Sequence, residues 1–212
     1  MRDKVFLAFL WFFAAPASAE PVVIAALGDS LTQGYGLPAK QGFIPQLEGW
    51  LNAQGAEVRL INAGVSGDTS AGGLARIGWT LEPEVDGLIV ALGSNDFLRG
   101  IDPANTRVNL QAIVQAAIAA DVQVLLVGAQ APGNYGPDYK QSFDAIYPDL
   151  AKEYDLLFAQ SFFTGLGTLD DPATQRAYFQ ADGLHPNAAG VSKIVAAFGP
   201  NVLSLIERIE QK

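Results

Sequence analysis

The sequence predicts an α/β domain in which helices cover both faces of a parallel β-sheet. Five short apolar runs alternate along the chain with segments whose apolar residues recur at helical spacing. The first run is unbroken and rich in β-branched residues, which is typical of a strand buried on both faces of a sheet. Such an alternation indicates parallel strands joined by right-handed crossovers. Because no linker, repeat or low-complexity run interrupts it, we expect a single domain.

The predicted strands are short and mostly apolar, and each is followed by a loop that contains glycine or polar residues. The second strand, for example, leads into a run of small and polar residues, and the third leads into Gly93-Ser94-Asn95-Asp96. We place the five strands at residues 22–27, 58–61, 87–92, 122–127 and 156–158.

Helices are predicted in the segments between these strands. A helix from Phe43 is expected to end at Gly55, because glycine is favoured just after a helix. A brief helix is expected over residues 74–81. Asp102 and Pro103 suit an N-cap and the first helical position, so a longer helix is predicted from there.

Proline and glycine set the expected limits of the last helices. Pro148 is expected to kink or split a helix over residues 143–154. Residues 165–180 are predicted to be irregular. The final helix is predicted to begin near Asn187, with a break at residues 199–200, where glycine is followed by proline.

The first 19 residues have the pattern of a secretory signal peptide. Arg2 and Lys4 precede an apolar run, and Ala17-Ser18-Ala19 matches an A-x-A cleavage site. We therefore expect export to the periplasm or the medium, with residues 20–212 as the mature domain. An uncleaved membrane anchor is the alternative, although the apolar run is about half the length that spans a bilayer.

Composition narrows the classes of partner and cofactor. Without residues 1–19, the chain keeps 11 of its 13 basic and 21 of its 22 acidic residues, a net charge of −10. Such a surface argues against nucleic acid or an anionic membrane as a partner. With no cysteine and one histidine, neither a disulfide framework nor a structural zinc site is expected. Neither G-x-G-x-x-G nor a P-loop motif occurs, so nucleotide binding loses its usual support.

Gly28-Asp29-Ser30-Leu31-Thr32 directly follows the first predicted strand. Open α/β sheets bind ligands at the carboxyl ends of their strands, where loops diverge into a crevice. Ser30 is therefore a candidate nucleophile, although a turn or capping role is the common alternative for such a serine. The G-x-S-x-G turn of α/β-hydrolases is absent, since Thr32 occupies the position of its second glycine.

Asp182 and His185 form the second candidate element, in a loop with glycine and proline near the end of the chain. His185 is the only histidine, and Asp182 lies three residues before it. A carboxylate at this spacing can hydrogen-bond Nδ1 and leave Nε2 free to act as a base. A lone histidine with no catalytic role is the alternative interpretation.

Gly67 and Asn95 lie in loops after two other predicted strands. Because parallel strands end at one edge of a sheet, these loops are expected to meet the Ser30 loop. The backbone N–H groups of Ser30 and Gly67 and the Asn95 amide could then form an oxyanion hole. Alternatively, Gly67 only allows the chain to turn, and Asn95 with Asp96 caps the next element of secondary structure.

Four sequence blocks together resemble the SGNH, or GDSL, hydrolase family. They occur in the family's order and span nearly all of residues 20–212. Two further segments, Asn134-Tyr135-Gly136 and Ala145-Ile146-Tyr147-Pro148, resemble the periplasmic arylesterase and thioesterase/lysophospholipase subgroup. The four blocks are Gly28-Asp29-Ser30-Leu31, Gly67 within Asn-Ala-Gly-Val-Ser-Gly-Asp, Gly93-x-Asn95-Asp96 and Asp182-x-x-His185-Pro186.

The resemblance implies a three-layer, flavodoxin-like fold with strand order 2-1-3-4-5 and a cofactor-free ester hydrolase. It also implies a catalytic Ser30, His185 and Asp182, with Ser30, Gly67 and Asn95 in the oxyanion hole. One departure is Ser94, where the subgroup often has glycine. Its side chain would narrow the site or reposition Asn95.

We therefore expect an exported, monomeric serine esterase without a stable membrane anchor. Its substrates would be small-molecule acyl esters, such as aryl esters, lysophospholipids or thioesters. An acyl pocket is expected at Phe97, Leu98, Phe162 and Phe163, unless these residues are simply core. A carbohydrate acetylesterase of the same fold and a non-catalytic periplasmic binding protein are the alternatives.

Overall fold

The computed structural model describes residues 20–169 and 171–212, so the expected signal peptide lies outside the described residues. All the strand pairings in the sheet are parallel. The strand order is β2-β1-β3-β4-β5, which confirms the predicted topology. The strands are β1 (Val22–Gly28), β2 (Val58–Gly64), β3 (Gly87–Ala91), β4 (Gln123–Val127) and β5 (Leu157–Ala159).

Helices lie on both sides of this sheet, together with short 3-10 turns at Ala39–Gln41 and Gly133–Tyr135. Several helices begin at the residues that the sequence indicates, such as the one that Asp102 caps through the N–H of Ala104. The helices are α1 (Ser30–Gln33), α2 (Phe43–Ala53), α3 (Ser70–Thr80), α4 (Ser94–Leu98), α5 (Pro103–Ala119), α6 (Pro137–Asp144), α7 (Ile146–Glu153), α8 (Pro172–Tyr178) and α9 (Ala188–Glu210).

Successive residues of β1 contribute to two separate hydrophobic clusters, because strand side chains alternate between faces. Ile24 and Ala26 pack in a cluster with residues of α2 and α9. Val23, Ala25 and Leu27 pack in the other, with residues of α3, α5, α6 and α7. The molecule is thus the expected α/β/α sandwich, and β1 lies between β2 and β3 within it.

The structure corrects several element limits near the site. β2 continues three residues beyond the predicted end, because residues 62–64 pair with residues 26–28 of β1. The brief helix predicted at residues 74–81 is the 11-residue α3. The predicted loop around Asn95 contains a short helix, α4.

Of the predictions for the last helices, the one based on Pro148 is confirmed and the one for residues 165–180 is not. The helix over residues 143–154 is split as predicted, with Pro148 in the first turn of α7. The expectation of an irregular segment at residues 165–180 is wrong, since α8 forms there. The Asp171 carboxylate caps α8 by accepting hydrogen bonds from the N–H groups of Ala173 and Thr174, each at 3.2 Å.

The predicted break at residues 199–200 is also wrong, because α9 continues through Pro200. A proline inside a helix costs about 3 kcal/mol. Beyond it, Val202, Leu205 and Ile206 are all buried, and burial of each such side chain contributes about 1.5–3 kcal/mol. Continuation of the helix is therefore favoured. Although α9 is long and apolar enough to cross a membrane, it packs here against the sheet.

Candidate active site

Ser30 is the first residue of α1, at the carboxyl end of the buried strand β1. Asp29 caps this short helix, since its Oδ1 accepts a hydrogen bond of 3.0 Å from the N–H of Leu31. The end of α1 lies against β2, where the Asn62 amide donates to the carbonyl of Gln33 at 3.3 Å. The strand edge and the cap together hold the serine at the crevice that the sequence predicted.

Ser30, His185 and Asp182 form a continuous hydrogen-bonded chain. His185 Nε2 lies 2.9 Å from Ser30 Oγ, and His185 Nδ1 lies 2.7 Å from Asp182 Oδ2. With the Nδ1 proton donated to the carboxylate, Nε2 is left to accept the serine proton. The hydroxyl and imidazole are 155 positions apart in the chain, so this contact is a product of the fold.

Backbone N–H groups of the loop that contains Asp182 and His185 donate hydrogen bonds to the Asp182 carboxylate. Asp182 Oδ1 accepts hydrogen bonds from the N–H groups of Leu184 and His185, at 2.9 and 3.0 Å. The hydrogen bonds from the N–H and the ring of His185, with that from Leu184, lower the pKa of Asp182 to about 2. The carboxylate is therefore ionised over the whole neutral range.

The elements flanking this loop keep His185 in place. An antiparallel bridge joins Phe179 to Pro186, and Asn187 caps α9 by accepting from the N–H of Gly190 at 3.0 Å. The Tyr35 ring packs against the imidazole, with centroids 4.6 Å apart. The ring of His185 is thus held from the α9 side and from the loop after α1.

The other predicted residues lie in the same cavity, which measures about 490 Å³. Ser30, Gly67, Asn95 and His185 all line it. Gly67 has a φ of +78°, a left-handed turn that glycine readily adopts. Its carbonyl accepts a 2.7 Å hydrogen bond from Arg99. The structure therefore brings Gly67 and Asn95, the two predicted oxyanion-hole residues besides Ser30, to the cavity of the serine and places Asp182 behind His185.

A buried polar network holds the helix that carries Asn95. Asp96 is fully buried, and its carboxylate accepts hydrogen bonds from the N–H and the hydroxyl of Ser70, at 2.8 and 2.5 Å. It also accepts from Thr106 Oγ1 at 3.0 Å. This network joins α4 to α3 and α5, so Asn95 sits on a well-anchored element.

Apolar side chains form much of the cavity wall. Of the four residues expected at an acyl pocket, Phe97, Leu98 and Phe163 line it, and so does Ser94. The expectation for Phe162 is wrong, because its ring packs in the core against Phe43, with centroids 4.7 Å apart. The adjacent rings of Phe162 and Phe163 thus have different environments, one in the core and one in the cavity wall. The sequence alone does not indicate which of two neighbouring phenylalanines faces the cavity.

Three features of the site were missed in the sequence. Asp29, only 2% exposed, accepts a hydrogen bond of 3.3 Å from the Asn95 amide. The aromatic contact of Tyr35 with His185 crosses 150 positions of the chain. Arg76 donates to the carbonyl of Gly28 at 3.0 Å and pairs with Asp68 at 2.7 Å, so it ties β1 to the loop after β2. The only available signal was the position of Asp29 beside Ser30.

The chemistry available to this site is nucleophilic and acid–base. In the part of the chain that the structure describes, no group of three or more histidine, cysteine or acidic side chains is placed to hold a metal ion. The three-layer fold, with an aligned hydroxyl, imidazole and carboxylate, defines a hydrolase of the serine type.

Comparison with known proteins identifies the family. The chain belongs to the GDSL-like Lipase/Acylhydrolase family, whose model matches residues 26–192. This confirms the resemblance seen in the four sequence blocks, and the protein is accordingly an ester-hydrolysing enzyme.

Relatives and solved structures extend the match over most of the chain. Esterase TesA of Pseudomonas aeruginosa is 37% identical, over 90% of this chain and 91% of its own. Thioesterase 1/protease 1/lysophospholipase L1 of Escherichia coli K12 is 37% identical, over 86% of this chain and 82% of its own. The crystal structure of AlinE4, an SGNH-hydrolase family esterase, is 41% identical with a TM-score of 0.72, covering 89% and 98% of the two chains.

Proposed function

We propose that this protein is an exported serine esterase that cleaves small-molecule acyl esters through an acyl-enzyme intermediate. The observation that carries the proposal is the chain from Ser30 Oγ through His185 to Asp182. Its serine end opens into the cavity that Gly67 and Asn95 also line.

In the first half-reaction, Ser30 Oγ attacks the acyl carbon while His185 Nε2 takes its proton. Asp182, ionised at neutral pH, stabilises the imidazolium that forms. The C–O or C–S bond to the leaving group then breaks, and His185 returns the proton to the departing alcohol or thiol. Ser30 is left as an ester of the acyl group.

The carbonyl oxygen becomes negative in this step and needs hydrogen-bond donors. The backbone N–H groups of Ser30 and Gly67 and the amide of Asn95 fill this role. In water-excluded sites, removal of one such donor typically costs about 3 kcal/mol of transition-state stabilisation.

Water completes the cycle by the same route in reverse. His185 removes a proton from a water molecule, the resulting hydroxide attacks the acyl carbon, and the bond to Ser30 Oγ breaks. The proton held by His185 returns to the serine, and the carboxylic acid leaves the cavity. This half-reaction uses the same oxyanion donors as the first.

Two lines of support favour acyl chains as the part of the substrate that is bound. The relatives are named as esterase, thioesterase, lysophospholipase and arylesterase. The cavity wall is largely apolar beyond the polar residues that perform the chemistry, with Phe97, Leu98 and Phe163 among its members. Apolar walls suit aryl or alkyl groups of esters and thioesters.

Export is a second part of the proposal and rests on the sequence of residues 1–19. The pattern of two basic residues, an apolar run and Ala17-Ser18-Ala19 supports a signal peptide that is cleaved after Ala19. The mature enzyme would then act in the periplasm or the medium, as a monomer without a membrane anchor.

The experiment that tests the activity is hydrolysis of p-nitrophenyl esters from acetate to palmitate by residues 20–212. We expect turnover by the wild type and a loss of several orders of magnitude in Ser30→Ala, because triad residues act as a unit. The matched control is Ser204→Ala, which removes an exposed hydroxyl on α9 and should retain full activity.

The chain-length profile decides the substrate class. Activity that persists or rises with longer acyl groups supports the acyl-ester proposal, whereas a steep fall beyond acetate supports a carbohydrate acetylesterase. If wild type and Ser30→Ala hydrolyse the esters equally, the proposed nucleophile is wrong.

A further inference from the structure

Asp29 is a buried carboxylate beside the proposed nucleophile, and both of its oxygens accept hydrogen bonds. Oδ1 accepts from the N–H of Leu31 at 3.0 Å, and Oδ2 accepts from Nδ2 of Asn95 at 3.3 Å. The side chain is 2% exposed. Nothing in the hydrolytic mechanism above uses this group.

We propose that Asp29 is a positioning residue that holds the Asn95 carboxamide with its Nδ2, and not its Oδ1, toward the oxyanion. This inference rests on the proposed function, because it assigns Asp29 a role through Asn95 in that same reaction. Asp29 lies in the wall of the same cavity, and the role assigned to it is exerted through Asn95 rather than on the reacting atoms.

The two ends of a carboxamide have nearly the same shape but opposite hydrogen-bonding character. Nδ2 carries two hydrogens, so one can bond to Asp29 while the other remains for the oxyanion. If the amide of Asn95 turned over, its carbonyl oxygen would face the developing negative charge and repel it. An acceptor fixed beside Nδ2 excludes that orientation.

The side chain at position 29 has to accept one hydrogen bond from the N–H of Leu31 and another from Nδ2 of Asn95. An ionised carboxylate meets both requirements. Its two oxygens accept without donating, so the cap of α1 and the orientation of Asn95 are satisfied together. An asparagine at position 29 offers one acceptor and one donor. If its oxygen keeps the bond to Leu31, its NH₂ group faces Nδ2 of Asn95, and Asn95 must turn over to relieve the clash of donors.

Two titratable side chains, His185 and Asp68, influence the ionisation of Asp29. Burial is the largest influence on Asp29 and raises its pKa to about 6, against the hydrogen bond from Leu31 and the charge of His185, which lower it, while Asp68 raises it further. Asp29 could therefore act instead on the charge of His185. The experiment has to separate that route from the route through Asn95.

The test uses steady-state hydrolysis of a p-nitrophenyl ester at pH 8 by wild type, Asp29→Asn, Asn95→Ala and the double variant. We expect each single variant to lower kcat by about 100-fold or more with KM little changed, as for the loss of an oxyanion donor. In the double variant, kcat should be no lower than in Asn95→Ala alone, because Asp29 acts through the missing amide.

Two results would overturn the proposal. One is wild-type kcat in Asp29→Asn. The other is a further loss on adding Asp29→Asn to Asn95→Ala, which would place the effect on His185. Circular dichroism and thermal unfolding of every variant show whether the fold is retained.

Asp102→Asn is the matched control for loss of a capping carboxylate. Asp102 caps α5 through the N–H two residues later, as Asp29 caps α1, and its variant should keep wild-type kcat. Failure of the hydrolytic proposal is recognised separately, because wild type and Ser30→Ala would then show the same activity. An active wild type with an unaffected Asp29→Asn would contradict only the positioning role.

Discussion

Burial raises the pKa of Asp29 to about 6, because the ionised carboxylate is largely removed from water. Its ordinary value is 3.8, so the unfolded chain releases this proton at lower pH than the folded protein does. Between pH 3.8 and 6 the unfolded state binds fewer protons, and stability falls as pH rises. Above pH 6 the ionised carboxylate costs about 3 kcal/mol of folding free energy, at 1.36 kcal/mol per pKa unit.

Asp29→Asn is therefore expected to be more stable than the wild type at pH 8, although it is less active. The gain is at most about 3 kcal/mol, less the hydrogen bonding that the asparagine loses. The advantage should shrink as pH falls through 6 and vanish below about 4, where Asp29 is protonated in both states. Urea unfolding at pH 4, 6 and 8 measures the difference.

A stability difference that stays constant over that pH range would contradict the buried-charge interpretation. Asp102→Asn serves again as the control, since its carboxylate also caps a helix but lies at an exposed position. The experiment thus reports whether the residue that orients Asn95 does so at a cost in stability, as is common at functional sites.

Asp182 contributes to stability in the opposite sense. Hydrogen bonds from His185 and Leu184 lower its pKa to about 2, so the folded protein favours the ionised form. This contribution is present above pH 3.8 and is lost as pH falls towards 2. Because its side chain is 37% exposed, solvent screening keeps the stabilisation small. Its main effect is to keep His185 oriented.

At the scale of secondary structure, the position of Ser30 depends on the close approach of α1 to the end of β2. A Cβ at Gly64 would lie 2.4 Å from the backbone nitrogen of Gln33 and 2.8 Å from its Cα. Displacing backbone atoms costs more free energy than displacing the end of a flexible side chain. The glycine therefore allows α1, and with it the serine, to sit directly on the sheet edge.

Gly64→Ala is expected to destabilise the protein by about 1–3 kcal/mol, as overpacking of a close contact does. It should also lower kcat/KM, because a displaced α1 moves Ser30 away from His185. Thermal unfolding and p-nitrophenyl ester kinetics on the same samples measure both effects.

Gly78→Ala is the matched control on α3. Apart from its chain neighbours and the nearby backbone of α3, no atom lies within 4 Å of the added Cβ, and the position is an exposed helix interior. Alanine should stabilise the protein there by about 0.5–1 kcal/mol with no change in kcat/KM. Equal behaviour of the two variants would show that the approach of α1 to β2 does not position the serine.

The whole chain carries a net charge of −9, yet the two basic residues of the first 19 lie together near its start. We expect the exported protein to begin at Glu20, because Ala17-Ser18-Ala19 supplies small residues at the cleavage site. Intact-mass measurement of protein from the periplasm or medium of an expressing bacterium identifies the first residue.

Ala19→Trp should block this processing, since a large side chain replaces a small one at the cleavage site. The unprocessed chain would then keep the mass of residues 1–19. A wild-type protein that retains Met1 and stays with the membrane fraction would contradict cleavage and favour an anchor.

Fold class and the positions of the loops followed from the sequence because both depend on local patterns. Apolar runs and helical spacing indicate strands and helices within short windows. The strand order came with the family resemblance and is confirmed. The expectations that were wrong, at α8, α9 and Phe162, concern segments where contacts with distant residues outweigh local signals such as Pro200.

The sequence by itself determined the α/β class, the family and the five candidate residues, because those rest on residue type, spacing and order. Only the tertiary structure decided that Ser30 Oγ lies 2.9 Å from His185 Nε2 and that Asp29 is buried against Asn95. The distances between residues far apart in the chain, and the burial of their side chains, depend on how the segments after β1 and β3 pack against the loop before α9. No local pattern in the sequence encodes that packing.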